Sequence, residues 1–277
     1  MPDLQTYLTR IGYRGTARPD LPTLVELHRR HLLAIPYENL DVQVGRPVGL
    51  DIGPIYEKMV LGRRGGWCYE MNGLFALVLE SLGFQVRRVA GTVGRAERGW
   101  RAQGNHLVLI VALDRSWIVD VGFGDGFLTP LPLEPGTYTQ SFLRYRVSRD
   151  GPRWRVDNHA HGGADGFDFT MTARALDGFA VQCRELQTSP ESPFVRTTIC
   201  ERFTTKGLVV LRGAALREVT AAGVTTRVLQ DANQFAATLR ERFGLDLPAA
   251  ADLWPRVWRM HLAWEAAQAA PVETAGR

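Results

Sequence analysis

The chain predicts an α+β fold, with helices first, an antiparallel sheet or barrel in the middle, and strands followed by a helix at the end. Two changes of hydrophobic period carry this reading: helical spacing gives way to alternation near residue 84, and alternation gives way to helical spacing again after Asp231. The composition agrees, since 45% hydrophobic and 22% charged residues are ordinary for a globular protein. A length of 277 residues fits one large domain or two to three small ones sharing interfaces.

Each element has a local reason. Behind Asp3, Leu4, Tyr7, Leu8 and Ile11 fall on one helical face, and Gly12 ends the pattern. LPTLVELHRRHLLAIP repeats it with Leu24, Leu27, His31 and Leu32, and Pro36 is the stop. A third helix begins in WCYEMNGLFALVLESLGF, where Met71, Leu74, Phe75, Val78, Leu79 and Leu82 form a broad stripe closed by Gly83. FQVRRVAGTV, NHLVLIVAL and SWIVDVGF then read as strands, FLRYRVSRDGPRWRV as a hairpin about Asp150-Gly151, and FDFTMTA as one strand more. LDGFAVQCRELQTSPESPF is a helix or turn leaving the barrel, after which ICERFTT, GLVVLRG and TTRVL are again strand-like. Asp231 caps a helix in ANQFAATLRERFGL, with Gln234 placed to complete a capping box. The last residues, AAPVETAGR, are small and polar and are expected to fray.

Several function classes drop out. No apolar run approaches the roughly 20 residues of a membrane span, and the first residues lack the basic-then-apolar order of a secretory signal, so a cytoplasmic address and no membrane partner are expected. The formal net charge of +4 is spread along the chain and makes no basic stripe, which argues against nucleic acid and leaves room for a small polyanion. Cys68, Cys183 and Cys200 are too few and too scattered for a disulfide framework, and no CxxC pair points to zinc. His159 and His161 alternate in NHAHGG but have no further ligands at a recognised spacing, so no metal is expected.

RRGGWCYEMNG, residues 63–73, is the most informative segment. Gly65 and Gly66 let the backbone turn tightly into the next helix, which puts Cys68 on an exposed first turn where the helix dipole and free N–H groups favour thiolate. A thiol of ordinary pKa needs a base beside it. His106 opens one predicted strand and Asp120 ends the next; if the two pair as a hairpin around Asp114-Arg115, the carboxylate can orient the imidazole. Spacing alone also suits a small core cysteine and a structural histidine, and both readings stay open here. GFGDGF, residues 122–127, is equally a simple turn or a close backbone approach to a phosphate or thioester.

At these residues the sequence resembles the arylamine N-acetyltransferase family over nearly its whole length. HLLAIPYENLDV, RRGGWCYEMNGLF, NHLVLIV, WIVDVGFG and TSPESPF stand in the family's order at similar spacing. The resemblance implies a helical bundle over residues 1–83, a β-barrel over 84–187 and a C-terminal α/β lid over 188–277, with a Cys-His-Asp core like that of cysteine proteases. It assigns Cys68 as nucleophile, His106 as base and Asp120 as the orienting carboxylate. It also implies Tyr69, Gly122, Phe123 and Gly124 as the acceptor pocket and coenzyme A path, and Arg64, Glu70 and Asn72 as support for the triad. The implied reaction is ping-pong transfer of acetyl from acetyl-CoA, a co-substrate and not a resident cofactor, to an arylamine, arylhydrazine or N-hydroxyarylamine. Trp67, where tyrosine or phenylalanine often precedes the cysteine, and Pro193 depart from the common pattern and bear on pocket shape. The same triad serves macrolactam-forming amide synthases and thiol hydrolases, and the fold could also act as a silent binding protein.

Overall fold

The structure, a computed structural model, describes residues 2–269, so the expected fraying beyond Ala269 lies outside the described residues. The first two helices form where the spacing predicts, and Asp3 caps the first as expected. Asp3 accepts from the backbone N–H groups of Gln5 and Thr6 ahead of Leu4–Arg10, and Asp20 accepts from that of Thr23 ahead of Leu21–Ala34. The helix Cys68–Ser81 begins at the expected residue and is buried on nearly all sides. Between them lies a turn of helix that the sequence did not reveal, Ile52–Tyr56 continuing in π form through Leu61. Gly53-Pro54 sits inside it and masks its period.

Eight strands make an antiparallel, barrel-like sheet: β2 (Gln85–Val93), β3 (His106–Ala112), β4 (Ser116–Val119), β5 (Leu131–Pro132), β6 (Gly136–Gln140), β7 (Leu143–Asp150), β8 (Arg153–Asp157) and β9 (Gly166–Ala173). Their order is β5-β4-β3-β2-β9-β8-β7-β6. The two edge strands, β5 and β6, are joined by only Leu133–Pro135, so the ends of the sheet are held near each other and it curls towards closure. The Gln140 amide stitches this seam, donating to Thr129 O at 2.7 Å and accepting from Thr129 N at 3.0 Å. Neither edge strand was foreseen, β5 because it is two residues long and β6 because it lacks apolar alternation.

A second sheet has the order β1-β10-β11-β12-β13, formed by β1 (Tyr37–Glu38), β10 (Ile199–Thr204), β11 (Gly207–Arg212), β12 (Ala215–Thr220) and β13 (Gly223–Val228). Its first strand comes from the N-terminal region that the sequence reads as helical, and two residues are too few to show a period. β12 escaped for a similar reason, with only Leu216 and Val219 buried in its six residues. Leu211 and Leu216 of this sheet pack with Phe235, Leu239 and Phe243 in a second core. Asp231 accepts from Gln234 N at 2.8 Å as expected, but the Gln234 side chain takes the N–H of Gln230 and not that of Asp231, so the reciprocal arm is displaced by one residue. The helix Trp254–Ala269 follows and was not anticipated.

A buried charge network anchors the loop that enters the Cys68 helix. Lys58 bonds both Glu70 oxygens at 2.9 and 3.0 Å and reaches Asp41 at 2.8 Å. Arg64 grips Glu38 at 2.9 and 2.7 Å and Asp41 at 3.2 Å. Burial alone would push the Lys58 ammonium down, but Glu70, Glu38 and Asp41 outweigh it and hold it above the ordinary lysine range. Glu70 in turn accepts from Trp67 N at 3.2 Å, so the network reaches the residue before Cys68. Lys58→Ala strands Glu70 as an uncompensated buried charge, and we expect a loss of about 3 kcal/mol of stability, read as a lowered urea midpoint. Glu70→Gln in that background should recover part of the loss; no recovery would show that the charge pair is not what Lys58 supplies.

Candidate active site

The end of β4 meets the start of β3 because the two strands pair as a tight hairpin, with Leu109 opposite Val119 and Ala112 opposite Ser116. His106, first residue of β3, and Asp120, just past β4, are thereby brought together: His106 Nε2 lies 2.6 Å from Asp120 Oδ2, both groups buried. Asn72, one turn along the Cys68 helix, donates to Asp120 Oδ1 at 2.7 Å and to Leu107 O at 2.6 Å. Its own oxygen accepts from Val121 N at 2.9 Å. Gly122 N adds a further donor to Asp120 Oδ1 at 2.9 Å. With Nε2 bound to the carboxylate, Nδ1 is the nitrogen of His106 left for chemistry.

His28 completes this shell and was missed. Asp120 N donates to its Nε2 at 3.2 Å, so the ring proton sits on Nδ1 and is donated to Leu128 O at 3.0 Å. Burial pushes the imidazole down to about 4, which keeps it neutral against the carboxylate. The signal was available: His28 follows Leu24 by one helical turn and lies on the apolar stripe, where a polar residue needs a partner.

The structure corrects the expectation for Cys68. Its first turn is buried, not exposed. Nor do Gly65 and Gly66 supply an unusual backbone angle; the left-handed residue in that loop is Arg63, with φ 53°. Gly65 is required for space, because a Cβ there would stand 2.1 Å from Pro36 O. Gly122 is required for the same reason, since its Cβ would fall 2.8 Å from both the Cα and the carbonyl oxygen of Cys68. Burial pushes the Cys68 thiol well above its usual range, Cys183 and Asp120 push it further, and hydrogen bonds from the Leu107 and Tyr69 backbone work against the rise. A thiolate here therefore needs a cation beside it.

Cys68 and His106 open onto one cavity of about 520 Å³. Phe123 packs edge-on against the His106 ring at 5.3 Å and Phe167 lies 5.2 Å from it, so the imidazole has aromatic walls. Of the residues expected in the pocket, Gly122 and Phe123 line the cavity. Tyr69 and Gly124 are not on its wall: Tyr69 is fully buried and donates to Gly104 O at 2.6 Å. Arg64 and Glu70 act one step removed, through the loop network, whereas Asn72 touches Asp120 directly. Tyr37, Asn105, Asp125, Phe194, Glu201 and Arg212 also line the cavity and were not singled out.

The other candidate groups are held by structural bonds. His159 Nε2 donates to Asp125 O at 2.8 Å while its Nδ1 accepts from His161 N at 3.1 Å, which fixes its tautomer. No group of three or more His, Cys, Asp or Glu side chains that could hold a metal occurs among the described residues. Cys183 and Cys200 are buried, and burial pushes the first up to about 12.

Comparison with known proteins places the chain in a family. An N-acetyltransferase family model matches residues 20–252. An arylamine N-acetyltransferase of Mycolicibacterium smegmatis is 39% identical over 88% of this chain and 92% of its own length. The enzyme of that name from Escherichia coli is 32% identical over 88% and 89%. Among solved structures, the Mycobacterium marinum arylamine N-acetyltransferase superposes with a TM-score of 0.85 at 32% identity, covering 93% of this chain and 99% of that one, and its complex with CoA does so equally. With a family match over most of its length and the same fold throughout, the chain belongs to the arylamine N-acetyltransferase family and is an acyltransferase.

Proposed function

We propose that the chain moves an acetyl group from acetyl-CoA to the nitrogen of arylamines, arylhydrazines or N-hydroxyarylamines, by way of an acetyl-Cys68 intermediate. The observation that carries this is the shared cavity: Cys68 lines it with a histidine whose far nitrogen is committed to a buried, fully bonded carboxylate. His106 Nδ1 takes the thiol proton, which leaves a thiolate paired with an imidazolium. The thiolate attacks the acetyl carbonyl carbon, the C–S bond to coenzyme A breaks, and the departing sulfur receives the proton from His106. The acceptor nitrogen then attacks the acetyl-cysteine, gives its proton to His106, and releases Cys68. Asp120 holds the ring and balances the imidazolium without taking the proton. Phe123 and Phe167 cover the imidazole and limit hydrolysis of the thioester. The binding of CoA by the M. marinum relative supports the choice of donor.

Mixed with acetyl-CoA and no amine, the purified protein should gain one acetyl group on the Cys68 peptide by mass spectrometry, lose it on addition of an arylamine, and gain none as Cys68→Ala. A wild-type protein that stays unmodified, with Cys68 still open to a small alkylator, would exclude acetyl-CoA as donor and turn attention to amide-synthase or hydrolase chemistry.

The proton transfer has its own signature. Burial raises the Cys68 thiol above its ordinary 9.0, so without a proton acceptor it remains protonated at neutral pH and ionises only in alkali. The wild-type protein should therefore react with iodoacetamide at pH 7, whereas His106→Gln should be slower by roughly a hundredfold there and approach the wild-type rate only above pH 9. Superimposable pH profiles for the two proteins would rule out His106 as the base.

A further inference from the structure

The wall of the cavity formed by β1 and β10 carries a polar group that the transfer chemistry does not use. β1 and β10 pair antiparallel with Tyr37 directly opposite Glu201, which puts both side chains on one face of the ladder, and both line the cavity with Cys68 and His106. Glu201 is only 7% exposed. Its carboxyl rests against the backbone at Gly124, where an added Cβ would stand 1.7 Å from Oε2, and it accepts a hydrogen bond from Asp125 N. Gly122 lies against Cys68 and Gly124 against Glu201. Gly122 packs on the Cys68 backbone, and two residues of chain span at most about 7 Å, so Glu201 borders the part of the cavity next to Cys68, where it can meet the substituent of an aromatic acceptor.

We propose that Glu201 determines acceptor specificity, its carboxyl selecting aromatic amines that carry a hydrogen-bond donor such as a hydroxyl across the ring from the reacting nitrogen. The inference rests on the transferase reading above and adds to it the class of amine. Burial, and then the charge of Asp125, push Glu201 well above the ordinary carboxylate range, while Arg212, Arg217 and the Asp125 backbone hydrogen bond work against the rise; a carboxyl that keeps its proton both donates and accepts. A hydroxyl satisfies both roles. A methyl group of similar size satisfies neither and leaves a desolvated carboxyl without a partner, and sites of this kind reject such analogues strongly.

The test compares kcat/KM for 4-aminophenol and p-toluidine with acetyl-CoA as donor, in the wild type, Glu201→Gln and Glu201→Leu. The ratio of the two amines, divided by the ratio of their uncatalysed acetylation rates, cancels intrinsic nucleophilicity and any loss common to both. In the wild type it should be about tenfold or more in favour of 4-aminophenol, should stay within about threefold of that value in Glu201→Gln, and should fall to near unity in Glu201→Leu. A wild-type ratio near unity overturns the proposal without recourse to any variant, as does an unchanged ratio in a folded Glu201→Leu protein. Acetylation of Cys68 by acetyl-CoA alone is followed in parallel. Its absence from the wild type would remove the transferase reading and this inference with it, whereas acetyl-enzyme that does not discriminate between the amines would remove only the inference.

Discussion

A buried carboxylate has to be saturated with donors, and in this protein that requirement at Asp120 draws the site together. Its two oxygens take Asn72 from the Cys68 helix, Gly122 from the following loop and His106 from β3, while its backbone N–H goes to His28 on the second helix. Leaving such a group without these partners would cost several kcal/mol, far more than any one bond returns in net stability. Four segments distant in sequence are thus fixed to one point. Because Asn72 is one helical turn from Cys68, the same bond that steadies the carboxylate sets the helix that carries the thiol.

The dryness that makes the carboxylate demanding also sets the state of the sulfur. Burial pushes the Cys68 thiol well above its usual range, so in the mechanism proposed above nucleophilicity arises by proton transfer to His106 within the site and not by equilibrium with solvent. That is a different logic from the exposed, dipole-activated cysteine anticipated from the glycine pair. The helix start still contributes, through the Tyr69 backbone hydrogen bond that favours the charged sulfur, but it acts against the burial and does not overcome it. A thioester formed in the same place gains from the arrangement, since Phe123 and Phe167 wall the histidine and keep bulk water from competing with an amine.

What the sequence made legible follows from what is local. Caps at Asp3 and Asp231 act on residues two or three places away, and the long runs of β2, β3 and β7 show their period plainly. His106 and Asp120 could be linked because a single short hairpin relates them. His28 could not, being brought to Asp120 from 92 residues away by helix packing. Lys58 was hidden in a π-helical turn, and Tyr37 and Glu201 sit in a strand pair whose first member is two residues long. Gly65 was recognised, but its reason was misread: it matters for what it leaves out and not for the angle it allows.

The strand pair β1–β10 has a consequence for how such a site can change. The residues proposed to perform proton transfer are tied to the Cys68 helix, β3 and the loop after β4, through bonds that tolerate little substitution. Another wall of the cavity is built from β10, where Glu201 meets the loop after β4 through the backbone at Gly124 and Asp125. The side chain at 201 is not among the partners of Asp120, so its replacement should leave those bonds in place. On the readings proposed above, chemistry and acceptor choice would be held by different elements of the fold, so the acceptor end could vary while the Cys68–His106–Asp120 arrangement stays fixed.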